Sequence, residues 1–147
     1  MLNMRRWRQI GPMGGVMLVA WVAWLFYDYH TRGPVAAAAK EDLKREFARL
    51  PPPPGSVPVD CHDSSKPGQA IVGCVYGSNL SQSDLSAYYQ TTLPTTGWTP
   101  CVDPRPGHAT VEGFWFYCKD GFRASIEYSP SSTSEWRFGV DLSWIAP

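Results

Sequence analysis

At 147 residues, with seven Trp, seven Tyr and six Phe, the chain has room for one well-filled core and not for two, and a disordered domain is excluded. The zero formal net charge divides unevenly, because residues 1–55 carry eight Lys or Arg against four Asp or Glu and residues 56–147 carry five against nine. An acidic C-terminal part without a basic stripe lacks the electrostatic footprint that phosphate backbones require, so nucleic acid is not an expected partner.

In chain order, residues 1–9 form a basic tail with Arg5, Arg6 and Arg8. Residues 10–27 carry no charge and are densely apolar from 16 to 27, a length that just reaches a transmembrane helix and predicts a membrane anchor. Asp28, His30 and Arg32 follow it, so the nearest flanks predict an N-in, C-out, single-pass protein of the inner membrane with its C-terminal domain outside the cytoplasm. Lys40, Lys44 and Arg45 weigh the other way, interleaved with Glu41, Asp42 and Glu46. The alternative is a signal peptide and a secreted product, but the alanines at 36–39 lie further from the apolar run than a cleavage site does.

Residues 28–50 form the next segment, in which Ala39, Leu43, Phe47 and Leu50 recur on one helical face and predict a short amphipathic stem. Four prolines and Gly55 make residues 51–55 an extended linker, and the folded domain is expected over residues 56–147. Two strands, 57–62 and 70–76, flank the turn Lys66-Pro67-Gly68-Gln69. Ser81 as N-cap, with Asp84 three residues on, opens a helix whose apolar face is Leu85, Tyr88, Tyr89 and Leu93 and which Pro94 and Gly97 stop. A third strand is expected at 97–101, a loop at 103–107, and further strands at 112–118, 122–128 and 135–144. Alternation is clearest in the last, where Trp136, Phe138, Val140, Leu142 and Trp144 interleave with polar residues and Gly139. The expected fold is α+β: an N-terminal transmembrane helix and short helical stem, then an antiparallel sheet of five or six strands with one helix packed on a face.

Cys61, Cys74, Cys101 and Cys118 all lie in the acidic part, and an even number there fits disulfides in an oxidising compartment. Three pairings are possible. A hairpin centred between Pro67 and Gly68 sets Cys61 opposite Cys74, which leaves Cys101 with Cys118 by remainder. The spacings, with His62 and His108 included, match no usual zinc pattern, so no metal is expected.

Phe114, Trp115, Phe116 and Tyr117 are aromatic without a break, so this strand has no polar face. Two registers against the next strand are open. A two-residue Asp120-Gly121 turn sets Trp115 opposite Ile126 and leaves Phe114 and Phe116 beside Glu127 and Ser125. A three-residue loop with Gly121 left-handed sets Phe116 opposite Ala124 and Trp115 beside Ser125, and is favoured here because it sends Cys118 inward. Either way two large aromatics lie on the nominally wet face. A fold-back of the stem or a loop would make that face a second small core, the preferred explanation; otherwise Trp115 and Tyr117 form a binding patch.

No sequence motif carries a reaction. His62, among Asp60, Cys61 and Asp63, reads as part of a strand-end turn, and His108 as a loop residue. No nucleophile elbow, phosphate-cradling loop or zinc-protease helix is present. Tyr89 reads as core rather than as a ligand platform.

The run Tyr76-Gly77-Ser78, Ser81 through Asp84-Leu85, Tyr88-Tyr89, Leu93-Pro94 and Gly97-Trp98 resembles a pattern in small bacterial envelope proteins, lipoproteins or single-span proteins. The resemblance covers about residues 51–144 and implies a fold and a location, not an activity or catalytic residues. The chain lacks the lipid-attachment cysteine of the lipoprotein members, leaving residues 10–27 as its membrane contact. Together these readings lead to an expectation of a non-enzymatic, cofactor-free envelope protein whose acidic domain contacts another envelope protein or has a structural role. The alternative is a glycan- or small-ligand-binding module, with an enzyme third.

Overall fold

The computed structural model describes residues 12–102, 113–130 and 137–146. Among these residues two helices and six strands follow one another as α1 (Pro12–Phe47), β1 (Val57–Lys66), β2 (Gln69–Gly77), α2 (Gln82–Thr95), β3 (Thr99–Pro100), β4 (Phe114–Lys119), β5 (Phe122–Tyr128) and β6 (Phe138–Ile145). The strands form one six-stranded antiparallel sheet in the order β1-β2-β6-β5-β4-β3, so the α+β class expected from the alternation holds. The most regularly alternating strand, β6, takes a central place between β2 and β5, where Phe138, Val140 and Leu142 are all buried.

The β1–β2 hairpin turns at Pro67 and Gly68, and the positive φ of Gly68, +78°, is one that a side chain would strain. Its register pairs Cys61 with Cys74, and both expected disulfides, Cys61–Cys74 and Cys101–Cys118, are formed. β1 runs on to Lys66 rather than ending at 62. The ladder to β2 supplies backbone partners to Asp63, Ser64 and Ser65 despite their weak strand propensity. The start expected for β6 at 135 and the loop 103–107 lie outside the described residues.

In α2, the Ser81 hydroxyl accepts from the Asp84 amide and the Asp84 carboxylate accepts from the Ser81 amide, a complete capping box. Pro94 sits within the last turn instead of stopping the helix, and the chain leaves the helix through Gly97 at φ +88°. Leu85, Tyr89 and Leu93 are buried, and the Tyr89 ring meets Phe138 edge-on at 6.4 Å. Trp98, just past the helix, is fully buried.

Helix α1 departs from the expected division into anchor, stem and linker. It is continuous through Pro34, and Ala36, Ala39 and Leu43 are buried against the same sheet face that α2 covers. That face therefore carries two helices rather than one. Leu50 and Pro53 are also buried, and the Tyr88 hydroxyl donates to the Pro51 carbonyl at 3.0 Å. Residues 51–55 thus pack on the domain rather than forming an open spacer. Lys40 and Lys44 each reach a carboxylate oxygen of Asp63, at 3.2 and 3.0 Å, and Lys119 reaches Glu46 at 2.6 Å. These contacts tie α1 to β1 and to the end of β4.

The N-terminal half of α1 has no such contacts with the sheet. Met17, Leu18, Val19, Trp21, Val22, Trp24, Leu25, Phe26, Tyr27 and Tyr29 are all exposed, Trp21 by 60% and Trp24 by 59%. Among the described residues no helix is long and apolar enough to cross a membrane, and the first residues of the span expected at 10–27 lie outside them. Gly14 and Gly15 precede the apolar run, Trp21, Trp24 and Tyr27 interrupt it and Asp28 ends it, which lowers its mean hydropathy. Ile10, Gly11 and the arginines of the basic tail lie outside the described residues.

Candidate functional site

The face of the sheet opposite the helices is where polar and aromatic side chains gather. The β4–β5 register decides which ones. Asp120 and Gly121 both have positive φ, 48° and 81°, and form the two-residue turn whose twist suits adjoining strands. Trp115 pairs with Ile126, Phe116 with Ser125 and Tyr117 with Ala124. The three-residue loop favoured from the sequence is thereby corrected: Asp tolerates the left-handed conformation, so the tighter turn carries no prohibitive strain.

This register sends Trp115 and Tyr117 to the helix-covered face. Tyr117 is 3% exposed, and Trp115 packs partly buried against the core cluster. They do not form the exposed binding patch, the second explanation for this strand. Phe114 and Phe116 take their place on the other face, half-buried, with ring centroids 6.4 Å apart and planes 19° from parallel. The stem does not cover them, since α1 lies on the opposite side. Cys118 still reaches Cys101, because Thr99 pairs with Cys118 and the Cys101 amide bonds the Phe116 carbonyl, placing both sulfurs at the β3 edge.

Across the strands from Phe116 runs a row of residues in register: Ser125, Asp141, Gly73 and His62. The neighbouring row is Phe114, Glu127, Gly139, Val75 and Asp60. His62 is therefore a mid-strand residue and not part of the strand-end turn expected for it, and its Nε2 lies 3.2 Å from the Asp141 carboxylate. Gly73 makes this pair possible. A Cβ at that position would overlap the Asp141 carboxylate and lie 2.8 Å from the Val140 carbonyl oxygen.

Burial raises the Asp141 carboxyl above the usual carboxylate range, and His62 pulls only partly against it. Glu127 is also raised, first by burial and then by the charge of Asp141. The two carboxyls thus share one electrostatic environment, with Phe114 and Phe116 flanking it. Such a surface can receive a cationic or hydroxyl-rich group against the rings and acids. Among the described residues no group of His, Cys, Asp and Glu is arranged to hold a metal ion. His108 lies outside the described residues.

At the β4–β5 turn the same face leads into a groove of about 500 Å³ bordered by Thr99, Cys118, Asp120, Arg123 and Ser143. The His62–Asp141 pair and the Phe114–Phe116 stack were not identified from the sequence. Alternation places His62, Asp141 and Phe116 each on a wet face, but only the strand order brings them into one row. No family model, curated protein or solved structure matches the chain.

Proposed function

We propose that this protein is a non-enzymatic, membrane-attached binding domain of the cell envelope, with its disulfide-bearing domain outside the cytoplasm. The observation that carries the reading is the asymmetry of α1. One face of its C-terminal half, with Ala36, Ala39 and Leu43, is buried in the domain, whereas its N-terminal half exposes an apolar surface on every side. A helix apolar all round belongs inside a large core or in lipid, and no element among the described residues covers this one. The tryptophans and tyrosines of the arm suit the zone where acyl chains meet headgroups. Attachment on this reading is by insertion of this aromatic-rich arm, the described part of the span expected at 10–27. The two disulfides suit an oxidising, extracytoplasmic compartment. The likeness of the Tyr88-Tyr89 to Gly97-Trp98 run to envelope proteins accords with that location.

The partner on this reading is another envelope protein, received by the open sheet face, where an aromatic stack is rimmed by polar groups. In-cell crosslinking of the full chain, followed by recovery of its neighbours, tests this. One reproducible envelope protein lost on Phe114→Ser and Phe116→Ser, with thermal stability retained, supports it; unchanged recovery with those variants refutes the assignment of the face. A ligand-binding role is the second reading, favoured by the acidic pair beside the rings. Glycan capture by the wild type alone would select it.

A further inference from the structure

The apolar arm ends at a second groove. This groove, of about 350 Å³, runs between α1 at Tyr29, His30, Gly33 and Pro34 and the tip of the β1–β2 hairpin at Ser65 and Lys66. With the arm in lipid, the rise of about 1.5 Å per residue sets His30 and Gly33 within roughly 5–10 Å of the last apolar residue, at the depth of the headgroups. The inference therefore rests on the membrane attachment proposed above.

The charges around the groove are one-sided. His30 and Lys66 line it, and no lining residue is acidic. Asp28, one turn earlier, is held by Arg32 at 3.2 Å. Lys40 and Lys44 are taken up by Asp63, and Lys119 by Glu46. Lys66, by contrast, has no carboxylate partner among the described residues. The Ser65 hydroxyl adds a neutral donor, and the exposed Tyr29 ring stands at the boundary where such rings collect. A phosphate in this groove would meet a free ammonium from the hairpin while its acyl chains continued along Phe26 and the rest of the arm.

The geometry points to a headgroup site for an anionic phospholipid, its phosphodiester between His30 of the helix and Lys66 of the hairpin tip. Helix and hairpin would then be clasped together by a lipid at the membrane surface. The measurement is electron spin resonance of the full chain in phosphatidylcholine vesicles. These contain either spin-labelled phosphatidylglycerol or spin-labelled phosphatidylcholine, and the lipid immobilised at the protein is compared. Phosphatidylglycerol is expected to be enriched about five-fold, the ratio equivalent to ~1 kcal/mol for one basic residue near an anionic surface. Lys66→Gln should bring the ratio near parity and Lys66→Arg should retain it. Parity in the wild type overturns the site alone, as does enrichment that survives Lys66→Gln but vanishes when Arg5, Arg6 and Arg8 are neutralised. Competition by free inorganic phosphate at equal concentration also overturns it, since the site would then not require the lipid. Absence of immobilised lipid of either kind overturns the membrane attachment and the site with it.

Discussion

Gly73 shows how much one missing side chain can decide. Because the space above it holds the Asp141 carboxylate and a backbone carbonyl borders it, Gly73→Ala forces the pair with His62 apart and strains the β2–β6 ladder. Overpacking of this kind typically costs about 1–3 kcal/mol, measurable by urea unfolding. Asp141 itself gives a pH signature. Its folded-state pKa is raised, so the folded chain binds more protons than the unfolded one between the two values. Stability from this group therefore falls as pH rises from the ordinary aspartate range through the raised folded value, and the deficit persists above it. Asp141→Asn should flatten that decline and raise the melting temperature at neutral pH; an unchanged slope would show that the carboxyl is not perturbed. Asp63 runs the opposite way. Its pKa is lowered by hydrogen bonds from Lys44 and Lys40, so its contribution is present above the unfolded value and is lost as pH falls through the folded one.

Among the elements, α1 is the one whose role changes most between sequence and structure. A detachable stem would tolerate truncation of its apolar face. Leu43, however, is fully buried among sheet residues, and Leu43→Ala is expected to destabilise the domain by about 2–5 kcal/mol in thermal or denaturant unfolding. A loss below 1 kcal/mol would restore the stem to a peripheral place. The β4–β5 hairpin offers a matched pair of tests. Tyr117 faces the core and Phe116 the open face, so Tyr117→Ala should cost about 3–5 kcal/mol by analogy with other large aromatics, and Phe116→Ser distinctly less. Equal losses would mean that both faces of β4 are core.

For the whole molecule, two disulfides and an exposed apolar arm have joint consequences. Closing the segment from Cys61 to Cys74, with a sequence separation of 13, stabilises the domain by about 3 kcal/mol in the chain-entropy model. Cys61→Ser with Cys74→Ser should lower the unfolding midpoint accordingly while leaving the second bridge intact by peptide mapping. The arm predicts that the full chain stays with the membrane fraction through an alkaline wash. Replacing Leu18, Val22 and Leu25 with Asp should release it still folded, because none of the three takes part in the core. Wild-type protein found in the wash supernatant would rule out attachment by this arm.

Local chemistry made much of this architecture readable in advance. The Ser81 capping box depends on residues three apart, the Cys61–Cys74 pairing on symmetry about Pro67 and Gly68, and the core faces of β5 and β6 on strict alternation. Each is settled within a few residues of chain, so the sequence by itself determined the α+β class, the strand periods and the disulfide partners. The β4 register was not decided in this way, because a strand aromatic on both faces has no pattern to break the tie between two turns. Packing decided it, placing Trp115 and Tyr117 under the helices and Phe114 and Phe116 on the open side. The fate of α1 likewise depended on contacts made far along the chain, with Asp63 and Lys119. His62, Gly73, Asp141, Ser125 and Phe116 come from five separate strands, and only the insertion of β6 between β2 and β5 lines them up. Strand order is a global minimum over many burial choices, and for that reason the candidate site belongs to the tertiary structure alone.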